Sequence, residues 1–325
     1  MTLQEIFTQN PNIVINTDID GILSGLILVK CCDCQIVGFT NSKDKVWLDP
    51  KHNDLYGNVY VDMFVADKRA ICIDQHIVAV NDAHMQSIRN RNNIHSPQSD
   101  DKGNLRVFST EGFKNKYPFG TVHYLIARLE SEKNITIDLP DITKRVPRQK
   151  FTIGDLILRA DDAMMSSLFN YPKNAAFWWN WLNDKYPDGS IATLQTYLKT
   201  LQCTITNKDK GEKLKKKIKK YFSDFNCKTG DGGFKEITDG TGVLKPHIYN
   251  YIQAIAKLLE VTNVTIPQQY IVHTGTYCRT RWLDIFANDL IQNGKICGHT
   301  VFSYAFIYGP DNDSLTNFSF TIDMV

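Results

Sequence analysis

Residues 13–28, IVINTDIDGILSGLIL, constrain the fold more than any other stretch. Three apolar residues lead into Asp18-x-Asp20-Gly21, and a second apolar segment follows. The pattern predicts a buried strand, a tight acidic turn and a crossover helix, the opening unit of an α/β sheet. Open sheets of this kind hold their chemistry just beyond the carboxyl ends of the strands. Asp18 and Asp20 are therefore the first candidate site residues.

Three further apolar runs repeat the theme. Residues 35–40 (QIVGFT), 58–65 (NVYVDMFV) and 70–74 (AICID) read as strands that end in polar residues. Asp62 lies late in the second of these, and Asp74-Gln75-His76 closes the third. Four such runs predict a mainly parallel sheet with Asp18, Asp20, Asp62, Asp74 and His76 at its carboxyl edge. Helices are expected over residues 1–10, 121–130 and 151–165, the last delivering Asp161 and Asp162. The polar segments 89–93 and 96–104 read as loop.

The middle of the chain changes character. Trp178, Trp179 and Trp181 stand together, as a base-stacking platform or as the core of a helical connector. Residues 208–220 carry most of the local positive charge, as a solvated helix face or as a lure for phosphates. Residues 229–242 are rich in glycine, but Lys228-Thr229 precedes the glycines, the wrong order for a P-loop. Beyond them come a helix over 248–259, a strand over 269–273, Arg279-Thr280-Arg281, a helix over 282–292, Gly298-His299, and strands over 301–307 and 317–322. The expected class is α/β. A mainly parallel-sheet domain with flanking helices takes residues 1–168, a helical and basic connector 169–244, and a smaller α+β domain 245–325.

Bulk properties set limits. The 325 residues are 42 % apolar, enough for a full core. The net charge of +2 argues against bulk wrapping of duplex nucleic acid, though not against a local basic groove. No secretory leader is evident, and no uncharged apolar run approaches the roughly 18 residues of a membrane span. The eight cysteines read as free thiols in a reducing cytoplasm, and Cys31, Cys32 and Cys34 lack the second ligand pair of a zinc site.

Carboxylates crowded at one sheet edge raise each other's pKa unless a cation neutralises them. Oxygen-rich clusters with a little imidazole suit Mn²⁺ or Mg²⁺. Two such ions bridged by a shared carboxylate can activate a water and clamp a phosphate. Turn formation and helix capping are the competing roles for each Asp taken singly.

Asp18-x-Asp20-Gly21, Asp62, Asp74-Gln75-His76 and Asp161 in RADDAM together resemble the DHH phosphoesterase superfamily, with Asp162 as the competing last assignment. Arg279-Thr280, the helix from Trp282 and Cys297-Gly298-His299 resemble its associated substrate-binding domain. The resemblance spans residues 12–165 and about 270–325. It implies one or two Mn²⁺ or Mg²⁺ ions, with Asp18 on one, Asp20 on the other, Asp62 bridging and Asp161 completing the second site. Gln75 takes the place of a ligand His. Asp74 and His76 are the implied catalytic residues, His76 at the scissile phosphate. Arg279, Gly298 and His299 are implied to hold the far phosphate or nucleobase. The implied activity is hydrolysis of a phosphate ester or phosphodiester of a small nucleotide or short single-stranded oligonucleotide. No membrane partner is expected, and a homodimer is open.

The family's central triplet is Asp-His-His, and a His often precedes its first Asp. Here Gln75 fills the first His position, and Val14, Asn16 and Thr17 fill the earlier region. The same residues therefore also fit a catalytically degenerate relative that binds a nucleotide or a partner. A haloacid-dehalogenase-like phosphatase, with Asp18 as nucleophile and Asp20 as acid, is a third reading. That family has Thr where Ile22 stands, and it gives Asp74-Gln75-His76 no role.

Overall fold

The computed structural model describes residues 1–89, 93–100, 107–134, 136–311 and 315–325. Strands β1 (Asn12–Asn16), β2 (Gln35–Thr40), β3 (Lys45–Leu48), β4 (Val59–Val61), β5 (Ile71–Ile73), β6 (Ile94–His95) and β7 (Ile271–Thr274) form one sheet. Their order is β6-β5-β4-β1-β2-β3-β7. The strands from β6 to β2 run parallel, and β3 and β7 extend the far edge by antiparallel pairing. The protein is thus α/β with a mainly parallel sheet, as the apolar runs imply. β2 lies on one side of β1 and β4 on the other. The carboxyl end of β1 is therefore a topological switch point, where open α/β sheets form a crevice.

The two-residue period of the strands sends alternate side chains to opposite faces. Ile13, Ile15, Trp47, Val59 and Val61 join one core, while Val14, Val46, Leu48, Tyr60 and Cys72 join another. Helices cover the first face, chiefly Ile19–Cys32 and Thr121–Lys133, with Pro172–Lys185, Ser190–Thr204, Lys208–Ser223 and Pro246–Leu258 in the same core. The second face meets a separate antiparallel sheet of β8 (Thr276–Thr280), β9 (Lys295–Ile296), β10 (His299–Phe306) and β11 (Phe318–Ile322). Phe302, Tyr304, Phe306, Phe318 and Phe320 carry that contact.

Several local expectations give way. β3 was hidden because only four residues, KVWL, follow a polar turn. The strand read over 269–273 is β7, and it pairs with β3 in the first sheet. Residues 151–165 do not form one helix. Ile153–Ile157 is helical, and then Asp161 and Asp162 take φ values of 44° and 60°. Aspartate tolerates this left-handed region better than most residues, so the chain can turn twice there. Of the polar segments read as loop, residue 89 ends the helix Asp82–Arg89 and Pro97–Asp100 forms a helical turn, with β6 lying between the two segments, while residues 90–92 and 101–104 lie outside the described residues. Trp178 and Trp179 are buried against Tyr117 and Phe119, which leaves neither indole face for a base. Among the described residues no helix is long and apolar enough to cross a membrane.

Candidate metal centre

Each acidic side chain is delivered by the end of an element. Asp18 caps the helix Ile19–Cys32, its Oδ1 accepting from the Gly21 N–H at 3.0 Å. A Cβ at Gly21 would lie 2.4 Å from the Asn16 carbonyl oxygen, so this turn admits only glycine. Asp18 Oδ2 accepts from Asn16 Nδ2 at 2.8 Å, and the same amide reaches Asp62 Oδ2 at 3.1 Å. One amide therefore bridges two carboxylates. Asp62 follows β4 directly, and its φ of 59° turns the chain out of the strand. Thr121 Oγ1 donates to its other oxygen at 3.0 Å.

Asp74 follows β5, with its N–H donating to the His95 carbonyl at 3.0 Å. Asp74 Oδ1 lies 3.1 Å from both the backbone nitrogen and Nδ1 of His76. The other ring nitrogen of His76 lies 3.4 Å from Asp161 Oδ2. Asp62, Asp74 and His76 each offer a ligand atom, and these atoms all fall within 4.8 Å of one another. They line a cavity of about 280 Å³ together with Asp18, Asp161 and Asp231, and Ser303, Ser319 and Tyr277 of the second sheet form the far wall.

Other expected residues stand differently. Both oxygens of Asp20 cap the helix Thr121–Lys133, accepting from the N–H groups of Thr121 (2.7 Å) and Val122 (2.9 Å), and Asp20 does not line the cavity. Gln75 turns its amide nitrogen to Asp161 and to His76 Nε2, and it lines a neighbouring cavity of about 380 Å³. Asp162 points to Lys215 (2.7 Å) and Arg159 (3.5 Å), so of the adjacent pair it is Asp161 that faces the site. Arg279 is exposed on β8, in register with Ser319. Gly298 lies in the turn before β10, His299 pairs with Asp323 at 2.6 Å, and neither lines the cavity.

Asn16, Thr121 and Asp231 were not foreseen. Asp231 sits in the glycine-rich loop, where Gly233 N–H donates to its carboxylate and Ile19 N–H to its carbonyl. The Asp-Gly-Gly sequence there marks a turn, but nothing in it points to β1.

The site is short of positive charge. Burial, then Asp231 and Asp20, push Asp18 up to about 8. Burial and Asp161 push Asp20 up to about 7. Asp62 is raised well above the carboxylate range by burial, then by Asp20 and Asp18. Among the described residues no lysine or arginine lines the cavity. His76 supplies the balancing charge. Desolvation opposes its ionisation although the side chain is half exposed, but Asp161 and Asp74 outweigh that and lift it to about 9. Lys116 and Arg159 act on Asp161 from outside the lining, and the lining itself, carboxylates held by neutral donors with one imidazole, is a donor set that fits a hard divalent ion.

No family model, curated protein or solved structure matches this chain.

Proposed function

We propose that the protein is a divalent-metal-dependent phosphoesterase of the DHH type, acting on a small nucleotide or a short single-stranded oligonucleotide. The observation that carries this reading is the convergence of Asp62, Asp74 and His76 at the switch point of the sheet. These three would hold Mn²⁺ or Mg²⁺, with Asp18 and Asp161 beside them. When bound, such an ion neutralises the carboxylates and activates a water toward phosphorus.

The chain's own residues do the rest. Asn16 and Thr121 fix the Asp62 carboxylate from both sides. Asp74 holds His76 through Nδ1, while Gln75 and Asp161 flank Nε2, so both ring nitrogens are positioned at the edge of the cavity. Ser303, Ser319 and Tyr277 offer neutral hydroxyls across the cavity. A cavity of about 280 Å³ suits one phosphate with its neighbouring sugar or base rather than a duplex.

The test is turnover by purified protein, with Mn²⁺ or Mg²⁺, of short oligonucleotides, adenosine bisphosphate, cyclic dinucleotides and pyrophosphate. At least one should be hydrolysed, and Asp62→Asn should abolish it. Folded protein that hydrolyses none of them refutes the reading.

One observation favours a second reading, a silent relative that binds a nucleotide without cleaving it. Gln75 already occupies Asp161 with its amide. Nucleotide binding without hydrolysis, unchanged in Asp62→Ala, would establish it.

A further inference from the structure

The helix Lys208–Ser223 is unused by the chemistry above. It holds eight lysines against two acids, Asp209 and Glu212, in a chain whose net charge is only +2. The rest of the protein is therefore net acidic. The apolar side of this helix, Gly211, Ile218, Tyr221 and Phe222, is buried. No apolar face is left to enter a lipid surface. Lys213, Lys216, Lys217 and Lys220 are exposed and follow the i, i+3, i+4, i+7 spacing that sets them on one face. Like charges at this spacing repel one another until an anion lies across them. Among the described residues, Lys215 is the one lysine of the helix in an ion pair, with Asp162 at 2.7 Å and Glu212 at 3.4 Å.

That pair fixes the helix beside the acidic cavity. Asp162 follows Asp161, which lines the cavity. Arg159 Nη2 donates to the Gly230 carbonyl at 2.8 Å, next to Asp231, which also lines it. Lys213, Lys216, Lys217 and Lys220 lie around the helix from Lys215 and face solvent, open to an extended polyanion. From Lys208 to Lys220 the row runs about 18 Å. Lysines are mobile point charges that recognise phosphates without reading sequence.

We infer that the helix Lys208–Ser223 is a docking track for the sugar–phosphate backbone of a single-stranded nucleic acid. Its part in substrate recognition rests on the phosphoesterase reading. The binding itself does not, and the experiment separates the two.

Fluorescein-labelled oligodeoxythymidylate is titrated with the full chain in EDTA, so that no hydrolysis runs, and its anisotropy is followed over a range of salt. Each lost phosphate contact lowers the log–log salt slope by about 0.7. The variant K213Q/K216Q/K217Q/K220Q should therefore lose up to about 3 in slope and bind at least about tenfold more weakly at low salt. A control with the same charge change at exposed lysines elsewhere, K51Q/K144Q/K150Q/K199Q, should bind as the parent does. Circular dichroism checks that both variants stay folded. Equal affinity and slope in the track variant overturn the proposal. So does an equal loss in the control, or binding to phosphatidylserine vesicles in place of the oligonucleotide. Asp62→Asn should leave this binding intact while removing turnover. Failure of the metal site and failure of the track are thereby told apart.

Discussion

Thr121 Oγ1 donates to Asp62 Oδ1 at 3.0 Å, so a carboxylate at the end of β4 leans on the first residue of a helix 59 positions further along the chain. Asp62 is buried, its hydrogen-bond donors Asn16 and Thr121 are neutral, and Asp20 and Asp18 press on its charge. Asp62→Asn keeps the shape and removes the charge. The metal-free variant is expected to be more stable than the parent by about 1–3 kcal/mol, and to lose at least about a hundredfold in Mn²⁺ affinity. Thermal melts with and without metal, beside calorimetric titration, measure both effects. In the parent, metal at a hundred times its Kd should add about 2.7 kcal/mol.

Asp20 behaves in the opposite way. Its oxygens accept from two backbone N–H groups at the start of Thr121–Lys133. Asp20→Asn sets an amide donor against one of them. The expected cost is about 2 kcal/mol of stability. Urea unfolding of the metal-free protein measures it. A stabilising Asp20→Asn would show that burial and Asp161, which raise Asp20, outweigh its two backbone hydrogen bonds.

Stability of the metal-free protein should fall as pH rises. Unfolded aspartates titrate near about 3.9 and histidine near about 6.5. Asp18 at about 8 and Asp20 at about 7 keep protons in the folded chain that the unfolded chain has already lost. Their penalty grows from about pH 4 and levels off above their folded values. His76, raised to about 9, stabilises fully below about pH 6.5, and that contribution disappears as pH climbs through 9. Both effects have the same sign. Melting temperature in EDTA should drop steadily between about pH 5 and 9, and saturating Mg²⁺ should flatten the curve. A flat curve in EDTA contradicts the arrangement.

Gln75→His places an imidazole between Asp161 and His76, the two groups that the Gln75 amide now touches. Imidazole is the stronger ligand for Mn²⁺. The variant is expected to bind Mn²⁺ at least about tenfold more tightly and to hydrolyse faster. Unchanged affinity would mean that position 75 points away from the bound ion.

Much of the sheet was legible because β1, β2 and β5 are short apolar runs ending in polar residues. The convergence of Asp18, Asp62, Asp74 and His76 was legible for the same reason, since each follows a strand. Asp20 was not, because its role depends on where the start of a remote helix lands, and no local pattern encodes that. Asp231 and Asn16 were missed likewise, one in a loop that reaches β1 only in the folded chain, the other looking like an ordinary strand end. The choice of Asp161 over Asp162 depended on two consecutive left-handed residues, which sequence spacing does not display.

A single residue, Gly275, joins β7 to β8, and hence one sheet to the other. Its N–H is tied to the Asp44 carbonyl at 2.8 Å, and a Cβ there would press on Thr321 at 2.7 Å. The two walls of the cavity are therefore stitched together rather than hung on a supple tether. A link of one residue leaves the two sheets little slack at this end. A molecule at the proposed site would have to fit the space the two sheets leave between them, about 280 Å³.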